Sequence, residues 1–319
     1  MKVFHHIEEI PADYGPTLVS VGNFDGVHRA HTRVLAEIAE RARPRHAKSV
    51  AVTFEPHPMR ILRPDSGLTL LTPMSEKVRL LLQTGIDAVL LLPFTRDLSL
   101  MPPRDFVRYV LCEGLKATEV HEGYNFHFGH KAAGDVTLLS ELGRELGFEV
   151  AVYPELRLRG EPVSSTRIRQ LVRQGQMQRA RALLGRVFSI RSTPGRGRGY
   201  GAKYTVPTIN LSRYEELVPR DGVYITRTRV GEECFDSVTN IGNRPTFGEE
   251  SFAIETHLLD FHPLELTAQT EVEIFFLSRL RDEIKFNSVD ELRNQIARDI
   301  RKTRRYFALI KRVAPVQTR

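Results

Sequence analysis

Residues 19–31 read VSVGNFDGVHRAH. An apolar run ends at Val21, Gly22 and Gly26 permit a tight turn, and His28 and His31 then stand one helical turn apart. A strand feeding a helix N-terminus in this way leaves backbone N–H groups exposed. With two imidazoles beside them, they suit the phosphates of a nucleotide. Taken alone, a His-x-x-His pair favours a structural role, and its placement straight after the first strand of a parallel sheet reverses that reading.

Outward from this stretch, short apolar runs alternate with helical patterns. TLVSV is followed by HTRVLAEIAERA, SVAVTF by SEKVRLLLQTG, AVLLLPF by PRDFVRYVLCEG and TEVHEGY by DVTLLSELGREL, and FEVAVY closes the series. Such βαβα alternation predicts an α/β, Rossmann-like domain: a parallel sheet covered by helices, with right-handed crossovers and ligands beyond the carboxyl ends of the strands. Thr72 followed by Pro73 reads as a helix start. SSTRIRQLVRQGQMQRARALLG then reads as two short helices, and near Gly185 the pattern changes. DGVYITRTRV, CFDSVTNIG, SFAIETHLLDF and TEVEIFFL follow one another across Gly, Pro and Asn turns, the pattern of an antiparallel β-barrel or sandwich. A C-terminal helix, SVDELRNQIARDIRKTRRYF, opens with Ser288 and Glu291 at capping-box spacing. The expected domains are therefore 1–184 and 185–319.

Composition narrows the class. The 319 residues suit about two domains, and 41% hydrophobic with 27% charged residues is ordinary for a soluble globular protein. Cys112 and Cys234 are the only cysteines and form no CxxC pair, which argues against a disulfide framework or a cysteine zinc site. No signal-type segment and no run near the roughly 18 apolar residues of a membrane span occurs, so no membrane partner and a cytoplasmic location are expected. The net charge of +7 favours anionic partners without choosing among nucleotides, phosphorylated metabolites and nucleic acid. The basic run RDIRKTRRYFALIKR reads as a solvated face of an amphipathic helix rather than an RNA-binding strip.

Two further stretches carry chemistry. GRGRGYGAKYTVPTINL, residues 195–211, places Gly195, Gly197, Gly199 and Gly201 ahead of Thr208 and Asn210. Glycines free the backbone to curl N–H groups around phosphate, yet a flexible loop or an RNA contact fits this composition too, and no Walker A pattern is present. In SFAIETHLLDF, strand alternation sets Phe252 and Ile254 on one face and Glu255 with His257 on the other.

GNFDGVHRAH is similar to the GxFDGxHxGH motif of the HxGH nucleotidylyltransferases, with SSTRIR at 164–169 as the second hallmark. TFEPHP at 53–58 and EGYNFHFGHKAAGD at 122–135 resemble the flavin-specific branch, the prokaryotic bifunctional riboflavin kinase/FAD synthetases. PTIN at 207–210, NIGNRPTFG at 240–248 and ETHLLDF at 255–261 resemble its kinase half. Two departures stand out: Ala30 replaces the family glycine between the histidines, and KYTVPTIN replaces the usual GFPTxN.

The resemblance implies riboflavin, FMN, FAD and ATP as ligands and Mg²⁺ or another divalent cation as cofactor, with no nucleic acid partner. It implies ATP binding by Gly22, Asn23, Phe24, Asp25, Gly26, Ser164, Ser165 and Thr166, and by the glycines at 195, 197, 199 and 201. His28, His31, Arg167 and Arg169 would handle phosphate charge. Pro56, His57, Pro58, Asn125, Asn240 and Arg244 would surround the flavin, Thr208 and Asn210 would hold the metal, and Glu255 would be the catalytic base. A single-activity HxGH transferase would leave the barrel unexplained. A basic RNA-binding protein lacks its usual aromatic signature here.

Overall fold

The computed structural model describes residues 2–195, 208–244, 251–262 and 266–313. The chain divides into two compact units, Met1–Arg167 and Ile168–Arg319.

The first unit is built on a six-stranded, wholly parallel sheet in the order β1 (Lys2–Phe4), β4 (Ala88–Pro93), β3 (Lys48–Glu55), β2 (Thr17–Val21), β5 (Ala117–Gly123), β8 (Glu149–Tyr153). Every residue of β2 is buried, as expected of a strand covered on both faces. Its alternate residues serve different cores. Val19 and Val21 pack with Val50, Val52, Leu90 and Val120 on one side, while Leu18 packs with Ala51 and Val89 on the other. That second side is covered by α1 (Arg29–Ala42), whose Leu35, Ile38, Ala39 and Ala42 recur at helical spacing and are buried. The helix α3 (Met74–Leu82) joins it through Leu80 and Leu81.

Smaller pieces frame the carboxyl ends of the strands: one-turn helices α2 (Pro58–Leu62), α4 (Arg96–Leu100) and α5 (Pro103–Phe106), and the ladder of β6 (His127–Phe128) with β7 (Gly134–Asp135). The helix α5 continues as a wider, π-type turn over Val107–Gly114. Then come α6 (Val136–Leu146), the hairpin of β9 (Arg157–Leu158) with β10 (Glu161–Pro162), and α7 (Ser165–Arg173).

In the second unit, α8 (Met177–Leu184) precedes a six-stranded antiparallel sheet in the order β11 (Phe188–Ser192), β16 (Val272–Arg281), β13 (Gly222–Val230), β14 (Glu233–Arg244), β15 (Ser251–Leu258), β12 (Thr208–Asn210). The two edge strands meet. Pro194 bridges to Leu211, Gly195 N–H donates to the Asn210 carbonyl at 2.8 Å and Ser212 N–H to the Thr193 carbonyl at 2.8 Å, so the sheet closes into a barrel. A Cβ at Gly195 would lie 2.9 Å from the Leu211 carbonyl oxygen, which makes glycine necessary at this closure.

Cross-strand register puts Phe188, Ile190, Ile274, Phe276, Ile254 and Leu258 inside the barrel. Beside them five buried hydroxyls close a ring: Thr226 to Ser237 at 2.8 Å, Ser237 to Thr228 at 2.8 Å, Thr228 to Thr256 at 3.0 Å, Thr256 to Thr239 at 2.9 Å and Thr239 to Thr226 at 2.8 Å. Each can donate once and accept once around the ring, so the polar atoms are satisfied without water.

The terminal helix α9 (Val289–Val313) packs against β14. Arg281 pairs with Asp299 at 2.8 Å, and the Arg227 guanidinium lies 5.4 Å from the Phe307 ring centre. Of the expected capping box, Glu291 N–H does donate to Ser288 Oγ at 3.2 Å, but the Glu291 carboxylate accepts from Asn287 N–H. No described helix is long and apolar enough to cross a membrane.

Candidate functional site

In the parallel sheet, connections from β2 run one way through α1 to β3, and β5 lies on its other side. The topological switch point therefore falls between β2 and β5, where α/β sheets open a crevice. A cleft of about 1330 Å³ occupies this place. That is more than one drug-sized ligand needs.

Part of the cleft lining is polar. Gly22, Asn23, Phe24, His28, Ala30 and His31 line it, as do Ser164, Ser165 and Thr166. The two distant segments are joined directly, because Ser165 Oγ donates to the Asp25 carbonyl at 2.8 Å. Ser164 Oγ accepts from Arg167 N–H at 3.2 Å, the cap expected of a serine before a helix. The His28 and His31 rings stack at 3.6 Å, and Phe24 meets His31 edge-on at 5.1 Å. Burial, with His28 and Lys77 adding to it, holds His31 well below the ordinary histidine pKa. A neutral imidazole of this kind still donates one N–H, and the turn around it keeps the strain of two non-glycine residues with positive φ, Phe24 (46°) and Val27 (38°).

Another part of the lining is aromatic. Phe54 and Phe94 meet edge-on at 5.6 Å, and Phe126 and Phe128 stack at 5.4 Å; all four line the cleft, along with Pro58 and Asn125. Such walls suit a planar ring system.

Several expected residues lie elsewhere. Asp25 is buried, and its carboxylate accepts from Leu71 N–H at 2.9 Å and Thr72 N–H at 3.3 Å, while Gly26 N–H donates to Thr72 Oγ1 at 3.2 Å. These two residues anchor the turn to the approach of α3 and do not line the cleft. Pro56 and His57 also stand outside its lining; His57 Nδ1 accepts from Met59 N–H at 3.2 Å and caps α2. Arg167 reaches Glu161 at 3.2 Å, and Arg169 is half-buried two residues further along α7.

On the barrel, pairing register makes one row of the second constellation. Asn210 on β12 faces Glu255 on β15, which faces Asn240 on β14; beside them Thr208 faces His257. Directly opposed residues share a face and lie about 5 Å apart. This is the outward face, because the intervening Ile209, Ile254 and Thr256 are buried in the barrel. Asn240 also donates to Glu283 at 3.0 Å. Gly197, Gly199 and Gly201 lie outside the described residues, as does the side chain of Arg244. Among the described residues, no cluster of three or more His, Cys, Asp or Glu forms a metal site.

The family model for FAD synthetase matches residues 10–167, and that for riboflavin kinase matches residues 184–307. The bifunctional riboflavin kinase/FMN adenylyltransferase of Escherichia coli K12 is 32% identical over 312 residues, which cover 98% of this chain and 98% of the relative. The chain belongs to that family. It is a bifunctional enzyme of flavin-cofactor biosynthesis with a riboflavin kinase domain and an FMN adenylyltransferase domain. The equivalent protein of Pseudomonas fluorescens is 31% identical, covering 94% of this chain and 96% of its own. A solved structure described as a macrolide-efflux protein from Streptococcus pneumoniae is similar throughout, with a TM-score of 0.85, 26% identity, and 95% and 98% of the two chains covered.

Two buried charged residues around this cleft are not among the candidates that the motifs marked. Lys77 is 1% exposed; its Nζ donates to the Asn23 carbonyl at 3.0 Å and to Thr53 Oγ1 at 3.1 Å, directly beneath the histidine turn. Its spacing from Leu80 and Leu81 on the apolar stripe of α3 was the available signal. Glu122 is buried at the carboxyl end of β5 and lines the cleft. An acidic residue in a strand covered on both faces needs a partner or a function.

Proposed function

We propose that the cleft of the first unit transfers AMP from ATP to FMN, and that the outward face of the barrel phosphorylates riboflavin. The observation carrying the first assignment is that the histidine turn and the Ser164–Thr166 segment, 140 residues apart at the Ser165–Asp25 bond, line one cleft beside an aromatic wall. The phosphate of FMN is already an anionic nucleophile, so its attack on the α-phosphorus needs no general base. It needs alignment and stabilisation of charge on the departing pyrophosphate. His28, His31 and the N-terminus of α7 supply donors there, Arg167 and Arg169 supply positive charge nearby, and the flavin ring takes the aromatic part with Asn125.

Phosphorylation of riboflavin differs, because the nucleophile is a neutral ribityl hydroxyl. Glu255 accepts its proton as the oxygen attacks the γ-phosphorus and ADP departs. Thr208 and Asn210 offer oxygen ligands of the kind a hard divalent cation takes together with nucleotide phosphates, which fits Mg²⁺. When bound, the cation neutralises phosphate charge. We assign the adenylyltransferase module to residues 1–184 and the kinase module to 185–319, with Asn240 and Arg244 beside the flavin of the second site.

The test is to assay the two half-reactions separately on two variants whose folding is verified by circular dichroism. Glu255→Gln should lower FMN formation by about 10²-fold or more yet still turn supplied FMN into FAD. His31→Ala should accumulate FMN and lose about 10²-fold in FAD formation. A folded variant that loses both activities equally would contradict separate sites.

A further inference from the structure

The ladder between β2 and β5 pairs Leu18 with Glu119 and Val19 with Val120, and then stops. Beyond it the two strands part to form the crevice, which deprives Val21 N–H of a ladder partner on β5. Glu122 takes over. Its Oε1 accepts from Val21 N–H at 2.6 Å, so a side chain bridges the strands where the backbone no longer does. Glu122 is 4% exposed and lines the cleft, and its partner Val21 directly precedes Gly22, where the histidine turn opens. Val21 N–H is its hydrogen-bond partner among the described residues, which leaves the second carboxyl oxygen for whatever occupies the crevice.

An ionised carboxylate in that position would repel a triphosphate and remain poorly solvated. A neutral carboxylic acid instead keeps Val21 satisfied through its carbonyl oxygen and offers an O–H to an acceptor atom of the ligand. Resting on the assignment of adenylyl transfer to this cleft, we propose that Glu122 acts there as a neutral hydrogen-bond donor to the bound nucleotide. Burial pushes its carboxyl well above the ordinary range, opposed by the Val21 N–H bond. The titratable side chains that share the cleft lining include His28, His31, Arg33, His127, His130, Tyr153 and Glu155, with Lys77 on α3 beneath the histidine turn, and none is among the causes of that displacement.

The test compares kcat/KM for ATP in the conversion of FMN to FAD from pH 6 to pH 10, for the native chain, Glu122→Gln and Glu122→Ala. Glutamine accepts from Val21 and donates through its amide at every pH, whereas glutamate loses its donor on ionising. At pH 6 Glu122→Gln should be reduced a few-fold, on the order of one weakened hydrogen bond. The ratio of native to glutamine variant should then fall as pH rises, by about tenfold for each pH unit beyond the point where the carboxyl ionises, other titrations cancelling in the ratio. Glu122→Ala, checked for folding by circular dichroism, should be impaired by about 10²-fold at pH 6. Should alanine misfold, the glutamine ratio alone decides. A ratio that stays flat with pH would reduce Glu122 to a strut for Val21 and overturn the proposal. No FAD from the native chain at any pH would instead overturn the assignment of the cleft, and the proposal with it.

Discussion

Lys77 carries a large electrostatic cost, and replacing it by methionine exposes that cost as a pH dependence. Burial lowers its pKa from 10.5 to about 8, with Asp25 and Glu55 opposing the drop. Below pH 8 the folded and unfolded chains both hold the proton, and the penalty of the desolvated ammonium is present in full. Between pH 8 and pH 10.5 the unfolded chain still binds a proton that the folded chain has released, so stability rises with pH; above 10.5 it levels off. At roughly 1.4 kcal/mol for each pH unit, the gain is about 3 kcal/mol. For a unit of this size that corresponds to roughly 6–12 °C in Tm. Methionine keeps the length and apolar stem without titrating. Calorimetric scans of the native chain and Lys77→Met at pH 7.5 and pH 10.5 should therefore show the native minus variant difference in Tm rising by that amount, whatever else titrates. A difference that stays constant, or that moves against the native chain, would refute the account of Lys77 as a desolvated cation beneath the histidine turn.

Thr239→Val opens the hydroxyl ring inside the barrel at two bonds, so the barrel transition should lose about 1–3 kcal/mol, read as a lower Tm; an unchanged Tm would mean that the ring contributes nothing. Asp25→Ala removes the acceptor of Leu71 and Thr72 N–H and the counter-charge of Lys77, and should destabilise the first unit by about 3–5 kcal/mol in denaturant titration.

The parallel sheet was legible because most of its longer strands are apolar runs that alternate with helices of period 3.6, and β2, β3, β4, β5 and β8 occupy the segments so marked. The strand β1 was not, since three residues at the sheet edge show no period. Helices of a single turn, such as α2 and α4, leave equally little trace. In the barrel, alternation assigned Glu255 to the face opposite Ile254, but only register reveals that Asn210 and Asn240 flank it. Asp25 illustrates the opposite limit. Its place in a nucleotide-binding motif pointed to the ligand, and nothing in that motif signalled that its carboxylate accepts from Leu71 and Thr72 N–H, more than 40 residues away in sequence. Glu122 was visible only as a charge out of keeping with its strand, because its partner Val21 is 101 residues away in sequence.

One chain is proposed to carry riboflavin through FMN to FAD on two sites. Incubating it with riboflavin, ATP and Mg²⁺ and separating the flavins by chromatography over time tests this directly. FMN should appear first with ADP, and FAD later with pyrophosphate. Riboflavin left unconsumed with every common divalent cation, or FMN that forms and is never converted, would contradict it.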